Sequence, residues 1–376
     1  MQKNLMRPKS MHKVPFLDIK KIHSEFQEDI NKSVSDVVNS GNYLLNKELF
    51  KFEDSYADYE NVNEVIGVGS GLDALKIILL SLKINKGDEI IVPAHTFIAT
   101  WLAVSNIGAI PVPIEPDENT FNIDVNLIES AVTSKTKAII VVNLYGQVAD
   151  LEPIRKICDN HNLFLVEDGA QSHGAKYKDI HTSSISDAVA TSFYPGKNLG
   201  CMGDGGAILT NNNLLASEAR RIRNYGSEKK YEHLVLGLNS RLDELQASIL
   251  NVKLKHLKEM NSKRSKIADF YNTNLLNRNL VKPKKINFVD HVWHLYVIRS
   301  RNRDKLMQRL LEVGIQTIIH YPIPPHLQKC YEYLSLKNFK LTERICSEIL
   351  SLPLYPNMPE EDYYYVTEMV NKFSNN

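Results

Sequence analysis

The feature that most constrains the fold is a series of short, nearly uninterrupted apolar runs spaced by helical patterns. The runs are EIIVP (89–93), AIPVPI (109–114), KAIIVVN (137–143), LFLVED (163–168), DAVATSF (187–193) and GAILT (206–210). Helix-like segments fall at 71–82, 97–107, 124–132 and 151–161. Strands that are apolar at every position are buried on both faces, and strands alternating with helices form a mostly parallel sheet. Such sheets bind ligands beyond the carboxyl ends of their strands. Asp168 closes one run and Lys197 follows another, so both are expected at one edge of the sheet.

From about residue 241 the texture changes. RLDELQASILNVKLKHLKEMNSKRSKIADFYNTNLL reads as one long helical stretch. VWHLYVIRS reads as a half-buried strand, NRDKLMQRLLEVG as a helix ended by Gly314, and IQTIIHY as another strand; two more helices are expected at 341–351 and 360–373. The 376 residues thus divide into an N-terminal arm with a large domain, 1–250, and a smaller α+β C-terminal domain, 251–376. The first 25 or so residues are expected to form the arm and the start of a helix.

A formal net charge of +1 offers no electrostatic footprint for nucleic acid. The basic start MQKNLMRPKSMHK is not followed by an apolar run, and GLDALKIILLSLKI, interrupted by Asp73 and Lys76, reads as a buried helix. No membrane partner is expected. The four cysteines show no CxxC spacing, and a reduced, cytoplasmic setting fits them. His291 and His294 in HVWH would face opposite sides of a strand, so no metal site is expected there.

The chemistry is concentrated in two motifs, VEDGAQSHGA around Asp168 and SFYPGKNLG around Lys197, 29 residues apart. A lysine in a Gly-rich turn after a strand can hold an aldehyde as a Schiff base. A buried strand-end acid can hold a protonated pyridine nitrogen. Together they suit pyridoxal 5′-phosphate (PLP), which needs a covalent tether and a charge partner that keeps its ring an electron sink. Each alone has a plainer reading: a lysine beside glycine caps a surface turn, and an acid after a strand caps a helix.

Neighbouring motifs complete the pattern. In VIGVGSGLDAL, Gly67, Gly69 and Gly71 suggest a loop opening a helix whose free N–H groups can cup a phosphate. The spacing is not GxGxxG, which disfavours a dinucleotide-binding oxidoreductase. His95 follows EIIVP and can stack on a flat ring. Gln171 can donate to a phenolic oxygen, and Ser192 can reach a phosphate. Arg223, Lys229 and Lys230 are candidates for a nucleotide diphosphate, although a solvated helix face explains them equally well.

GSGLDAL, VPAHTFIAT, LYGQVADL, VEDGAQSHGA, SFYPGKNLG, GDGGA, GLNSRLDELQA and HYPIPPH occur in that order from about Val14 to the C-terminus. In this the chain resembles the DegT/DnrJ/EryC1/StrS nucleotide-sugar aminotransferases, most of all those that aminate C-3 of dTDP-3-keto-6-deoxyhexoses. The resemblance implies an aspartate aminotransferase-like fold (PLP fold type I), a homodimer with shared active sites, L-glutamate as donor and a nucleotide-linked keto-sugar as acceptor. It implies that Lys197 is the Schiff-base lysine, Asp168 the pyridine partner and Gln171 the phenolic-oxygen contact. His95 takes the ring-stacking position, with Gly71, Leu72 and Ser192 in the phosphate cup and Asn239 donated by the other subunit. Tyr194, Arg223, His320 and Tyr321 are the substrate candidates. Alternatives are a C-4 aminotransferase on a dTDP- or UDP-4-keto sugar and a non-catalytic PLP-binding regulator. A dehydrating relative would carry histidine at position 197.

Overall fold

A computed structural model describes residues 12–336 and 338–374. The first part of the expected N-terminal arm, residues 1–11, lies outside the described residues. The central element is a seven-stranded sheet. Its strands are β1 (Glu64–Val68), β2 (Glu89–Pro93), β3 (Ile110–Ile114), β4 (Thr136–Val142), β5 (Phe164–Asp168), β6 (Ala188–Ser192) and β7 (Gly206–Thr210). The spatial order is β1-β7-β6-β5-β4-β2-β3. Neighbours from β6 across to β3 pair in parallel, whereas β7 runs antiparallel between β6 and β1. This is the mostly parallel α/β sheet that the apolar runs imply.

β1 is the strand that the sequence did not announce, because its glycine and short length made it read as part of a loop. Gly67 lets its neighbours pack closely there: a Cβ would stand 2.7 Å from Leu49 Cδ1 and 3.1 Å from Leu242 Cβ.

Helices cover both faces. They include α1 (Ile19–Ser24), α2 (Gln27–Ser40), α3 (Lys47–Glu60), α4 (Gly71–Ser81), α5 (Ile98–Asn106), α6 (Leu151–His161) and α7 (Asn213–Ile222). Alternate strand residues enter different cores: Ile90 and Val92 pack with α4 and α5 residues such as Leu75 and Trp101, while Ile91 and Ile139 pack with Ile154 of α6. Each fully buried side chain of this size contributes roughly 1.5–3 kcal/mol. These faces hold the strand ends rigid, so a site at the edge inherits fixed geometry. The expected helix at 124–132 is a single turn, Val125–Ile128, followed by a short 3-10 segment.

The expected helix from 241 is two helices, α8 (Glu244–Leu254) and α9 (Leu257–Asn274). At the break His256 has φ −107° and ψ −1°, and its ring stacks on Phe26 at 4.3 Å. Next come β8 (Leu280–Val281), β9 (Tyr296–Ser300), α10 (Arg303–Glu312), α11 (Lys340–Glu348), β10 (Ile349–Leu352) and α12 (Glu360–Asn371). β8, β9 and β10 form a small antiparallel sheet. Its core also takes Val14, Ile22, Phe26 and Ile30, so the N-terminal segment packs with the C-terminal one.

Three expectations fail here. VWHLYVIRS becomes a strand only at Tyr296, because Trp293 has φ +48° and Val292 N–H and Leu295 N–H bond back to Gly146 O and Tyr145 O. IQTIIHY is not a strand; its strand-like pairing is confined to isolated bridges, Ile315 to Val14 and Ile318 to Ser351. The helix expected to reach 351 stops at Glu348, because Ile349–Leu352 pairs with β9. Among the described residues no helix is long and apolar enough to cross a membrane.

Candidate active site

Beyond the carboxyl ends of the parallel strands lies a cavity of about 630 Å³. Val142, Asp168 and Ser192, which end β4, β5 and β6, all line it. Lys197 lines it too, so the two residues singled out from sequence meet at one edge.

The turn carrying Lys197 is tightly closed. Lys197 N–H donates to Tyr194 O at 2.8 Å and Cys201 N–H to Phe193 O at 2.8 Å. Gly200 is needed because a Cβ would lie 2.6 Å from Pro195 O. Lys197 Nζ has no hydrogen-bond or ion-pair partner among the described residues. Burial pulls its pKa down to about 8, with Asp168 opposing the shift. A poised, partly neutral amine is what a nucleophilic or proton-moving lysine requires.

Asp168 is buried, and desolvation raises its pKa. Thr100 Oγ1 donates to its Oδ2 at 2.9 Å, Ala170 N–H to its Oδ1 at 3.2 Å, and Lys197 also favours its charge. A cationic ring nitrogen against this carboxylate would offset the desolvation.

α4 begins at the cavity wall. Ser70 caps it, its Oγ accepting from Asp73 N–H at 3.1 Å. The N–H groups of Gly71 and Leu72 have no acceptor among the described residues, and both residues line the cavity with Ser70 and Ser192. A helix N-terminus with open N–H groups attracts phosphate. The cup depends on glycine: a Cβ on Gly71 would stand 2.7 Å from Ser192 Cβ.

Gln171 also lines the cavity. Its Oε1 accepts from Tyr145 N–H at 2.6 Å, and its Nε2 donates to Tyr321 Oη at 3.1 Å. Tyr194, His320 and Tyr321 are present in the lining. His320 pairs with Ser351 Oγ at 2.8 Å, and burial together with Lys197 lowers its pKa to about 4, leaving it neutral.

Two expectations need correction. His95 does not line the cavity. Its ring is buried against Phe121 and Tyr145, its Nε2 is 2.9 Å from Tyr145 Oη, and Cys346 Sγ lies 3.6 Å from its Nδ1. Burial alone lowers its pKa to about 4. The ring that does face the cavity is Phe97, two residues on and half exposed. Arg223 is not available to substrate either. It is buried in an ion pair with Glu53, and its Nη1 also donates to Gly67 O at 2.8 Å. Asn239 is exposed and bridges to Asn224 outside the cavity lining. Lys229 and Lys230 are likewise exposed.

Residues missed at sequence level are Thr100, Phe97, Arg264 and His294. Thr100 and Phe97 stand in HTFIAT, where the stronger-looking histidine drew the assignment. Arg264 sits in a stretch with no motif of its own, and HVWH suggested His294 only as a metal ligand.

A lysine with an acid partner and a phosphate-binding helix end, on a sheet of this order, defines a PLP enzyme of the aspartate aminotransferase type. The chain belongs to the DegT/DnrJ/EryC1/StrS aminotransferase family, whose profile matches residues 24–371. It is 48% identical to a dTDP-3-amino-3,6-dideoxy-alpha-D-galactopyranose transaminase of Aneurinibacillus thermoaerophilus, over 96% of this chain and 99% of that one. It is 47% identical to the erythromycin biosynthesis sensory transduction protein EryC1 of Saccharopolyspora erythraea, over 93% and 96%. The crystal structure of S. venezuelae DesV with a ketimine intermediate superposes with TM-score 0.95 at 42% identity, covering 97% and 99%. That of ntda from Bacillus subtilis, with bound cofactor PMP, superposes with TM-score 0.91 at 34% identity, covering 98% and 86%. The protein is a PLP-dependent aminotransferase.

Proposed function

We propose that this aminotransferase moves an amino group from L-glutamate to C-3 of a dTDP-3-keto-6-deoxyhexose, yielding a dTDP-3-amino-3,6-dideoxyhexose and 2-oxoglutarate. The observation that carries the reading is the free Lys197 amine beside Asp168, in a chain 48% identical to a transaminase named for a dTDP-3-amino sugar. When bound, PLP supplies a carbonyl for the amine and a ring that takes up the electron pair left at the donor Cα. Asp168 holds the positive ring nitrogen. Gly71, Leu72 and Ser192 hold the phosphate. With the cofactor bound, Lys197 Nζ would take the proton from the donor Cα and deliver it to the cofactor carbon that receives the amine, and would carry it back when the sugar is aminated. Gln171, fixed by Tyr145 N–H and Tyr321, offers its amide to the ring oxygen.

The homodimer, with Asn239 reaching the partner's site, is part of the same proposal. Its exposure, and its absence from the lining of its own cavity, support that role. A cytoplasmic enzyme supplying amino sugars for surface polysaccharide is the setting we infer. The same reading takes 1–250 as arm and large domain and 251–376 as small domain, a boundary that falls inside α8.

The test compares kcat/KM for the 3-keto and 4-keto dTDP-6-deoxyhexoses, each freshly generated. A shift of one ring position moves the carbonyl by more than about 1 Å, and misplacement of that size can cost on the order of a hundredfold. Preference for the 4-keto sugar overturns the C-3 assignment and leaves the aminotransferase class untouched.

A further inference from the structure

β5 ends at Asp168, opposite Ala190, but its neighbour β6 runs on to Ser192. Gly169 N–H donates to Ala190 O at 2.7 Å. Carbonyls two residues apart on a strand point to the same side, so Ser192 O faces the space beyond the end of β5. No strand remains there to donate to it. A side chain supplies the donor instead: His173 Nε2 lies 3.0 Å from Ser192 O.

A carbonyl oxygen only accepts, so Nε2 carries the ring proton and shares it with Thr191 Oγ1 at 2.9 Å. Burial, reinforced by Lys197, lowers the pKa of His173 to about 3, and the ring stays neutral in this one tautomer. Nδ1 is then a bare lone pair, buried without a partner. Asn261 Nδ2, on α9, donates to His173 O at 2.9 Å and fixes the backbone of the residue as well. His173 is 2% exposed and absent from the cavity lining, so it does not meet substrate. A hydrocarbon ring would fill the same space without orphaning a nitrogen. What imidazole adds is the Nε2–H.

That N–H takes effect at Ser192. Ser192 Oγ accepts from Tyr194 N–H at 3.3 Å, and its hydroxyl proton has no acceptor among the described residues. Ser192 also packs on the first residue of α4, where a Cβ on Gly71 would stand 2.7 Å from Ser192 Cβ. Any shift of Ser192 therefore changes the spacing between its hydroxyl and the open N–H groups of Gly71 and Leu72.

We propose that His173 is a positioning residue for the cofactor phosphate: its Nε2–H fixes the Ser192 carbonyl and so sets the Ser192 hydroxyl against the open end of α4. This rests on the phosphate cup of the proposed function. One motif, VEDGAQSHGA, then serves both ends of the cofactor, Asp168 at the ring nitrogen and His173, through Ser192, at the phosphate.

The experiment uses the full chain stripped of cofactor and compares PLP with pyridoxal, which has the same ring and aldehyde but no phosphate. Dissociation constants for both are read from the aldimine absorbance in wild type, His173→Gln, His173→Asn and His173→Phe. Glutamine can place an N–H where Nε2 stands. The asparagine amide falls at the Nδ1 position instead, and phenylalanine has no donor. In the asparagine and phenylalanine variants PLP affinity should fall roughly tenfold, as for one hydrogen bond lost with its acceptor left buried, while pyridoxal affinity stays within about threefold of wild type. Glutamine should recover most of the loss. Wild-type PLP affinity in a folded asparagine or phenylalanine variant, or equal losses for PLP and pyridoxal, overturns the proposal. Should neither variant fold, the ring-nitrogen NMR signals of His173 in the wild-type protein decide, identified as those missing from His173→Gln. A shift on adding inorganic phosphate supports the positioning role, and no shift overturns it. Ser192→Ala tests the cup separately: an unchanged preference for PLP over pyridoxal in that variant overturns the cup named in the proposed function, whereas a lost preference there with an intact one in the His173 variants overturns the role of His173 alone.

Discussion

Thr100 Oγ1 donates to Asp168 Oδ2 at 2.9 Å, across 68 residues of sequence. Because that hydroxyl proton is committed, the 2.9 Å contact between Thr96 and Thr100 has Thr96 as donor. Thr96, just before α5, and Thr100, in its first turn, therefore present a relay of hydroxyls to the acid that partners the cofactor ring. It fixes the orientation of the carboxylate and favours its charged form against the desolvation that raises its pKa.

Thr100→Val keeps the shape and removes the donor. Turnover should fall on the order of tenfold, the cost of one charge-assisted hydrogen bond, and Thr100→Ser should recover most of it. Asp168→Asn, which removes the charge itself, should lose on the order of a hundredfold or more. Steady-state kcat for the three variants orders them; a valine variant as poor as the asparagine one means that Thr100 does more than orient the acid.

Lys197 has its pKa lowered to about 8 by burial, so its neutral, nucleophilic form grows as pH rises through that value. Capture of PLP by the cofactor-free protein should therefore speed up from pH 6.5 and level off above about 8, rather than climbing toward the usual lysine range near 10.4. Lys197→Ala should show no borohydride-fixable chromophore and no turnover while its unfolding temperature stays close to wild type. Stopped-flow absorbance across pH checks the first, and reduction followed by mass spectrometry the second.

Phe97, not His95, presents a ring to the cavity. Phe97→Ala should weaken PLP binding by roughly tenfold, in keeping with about 1–1.5 kcal/mol for an aromatic contact. His95→Phe should act mainly on stability, because it strips partners from buried Tyr145 and Cys346. Cofactor titration and thermal unfolding of both variants separate the two effects. A large loss of PLP affinity in a stable His95 variant would restore the stacking role to the histidine.

Arg223→Ala leaves Glu53 buried with Arg220 as its remaining cationic partner, beside the Gly67 N–H. The expected cost is about 3 kcal/mol of stability, with kcat and KM for the sugar unchanged in the protein that folds. Urea unfolding with parallel kinetics tests this. A raised sugar KM at unchanged stability would return Arg223 to the substrate site.

The apolar runs, read alone, determined the parallel sheet and placed Asp168 and Lys197 at one edge of it. That information is local: a run buried on both faces carries its own signature, and a strand's end is a position in sequence. The cup at Gly71 and Leu72 was legible for the same reason, since a glycine opening a helix is a short-range pattern. Tertiary structure decided what depends on distant partners. Gly67 reads as a loop residue until Leu49 closes on it, and Ile349–Leu352 reads as helix until β9 pairs with it. Whether His95 or Phe97 turns to the cavity depends on Tyr145 and Cys346, and whether Arg223 is free depends on Glu53, 170 residues away. Side-chain direction and charge pairing are settled by whichever groups the fold brings close, and neither the spacing nor the composition of a motif contains them.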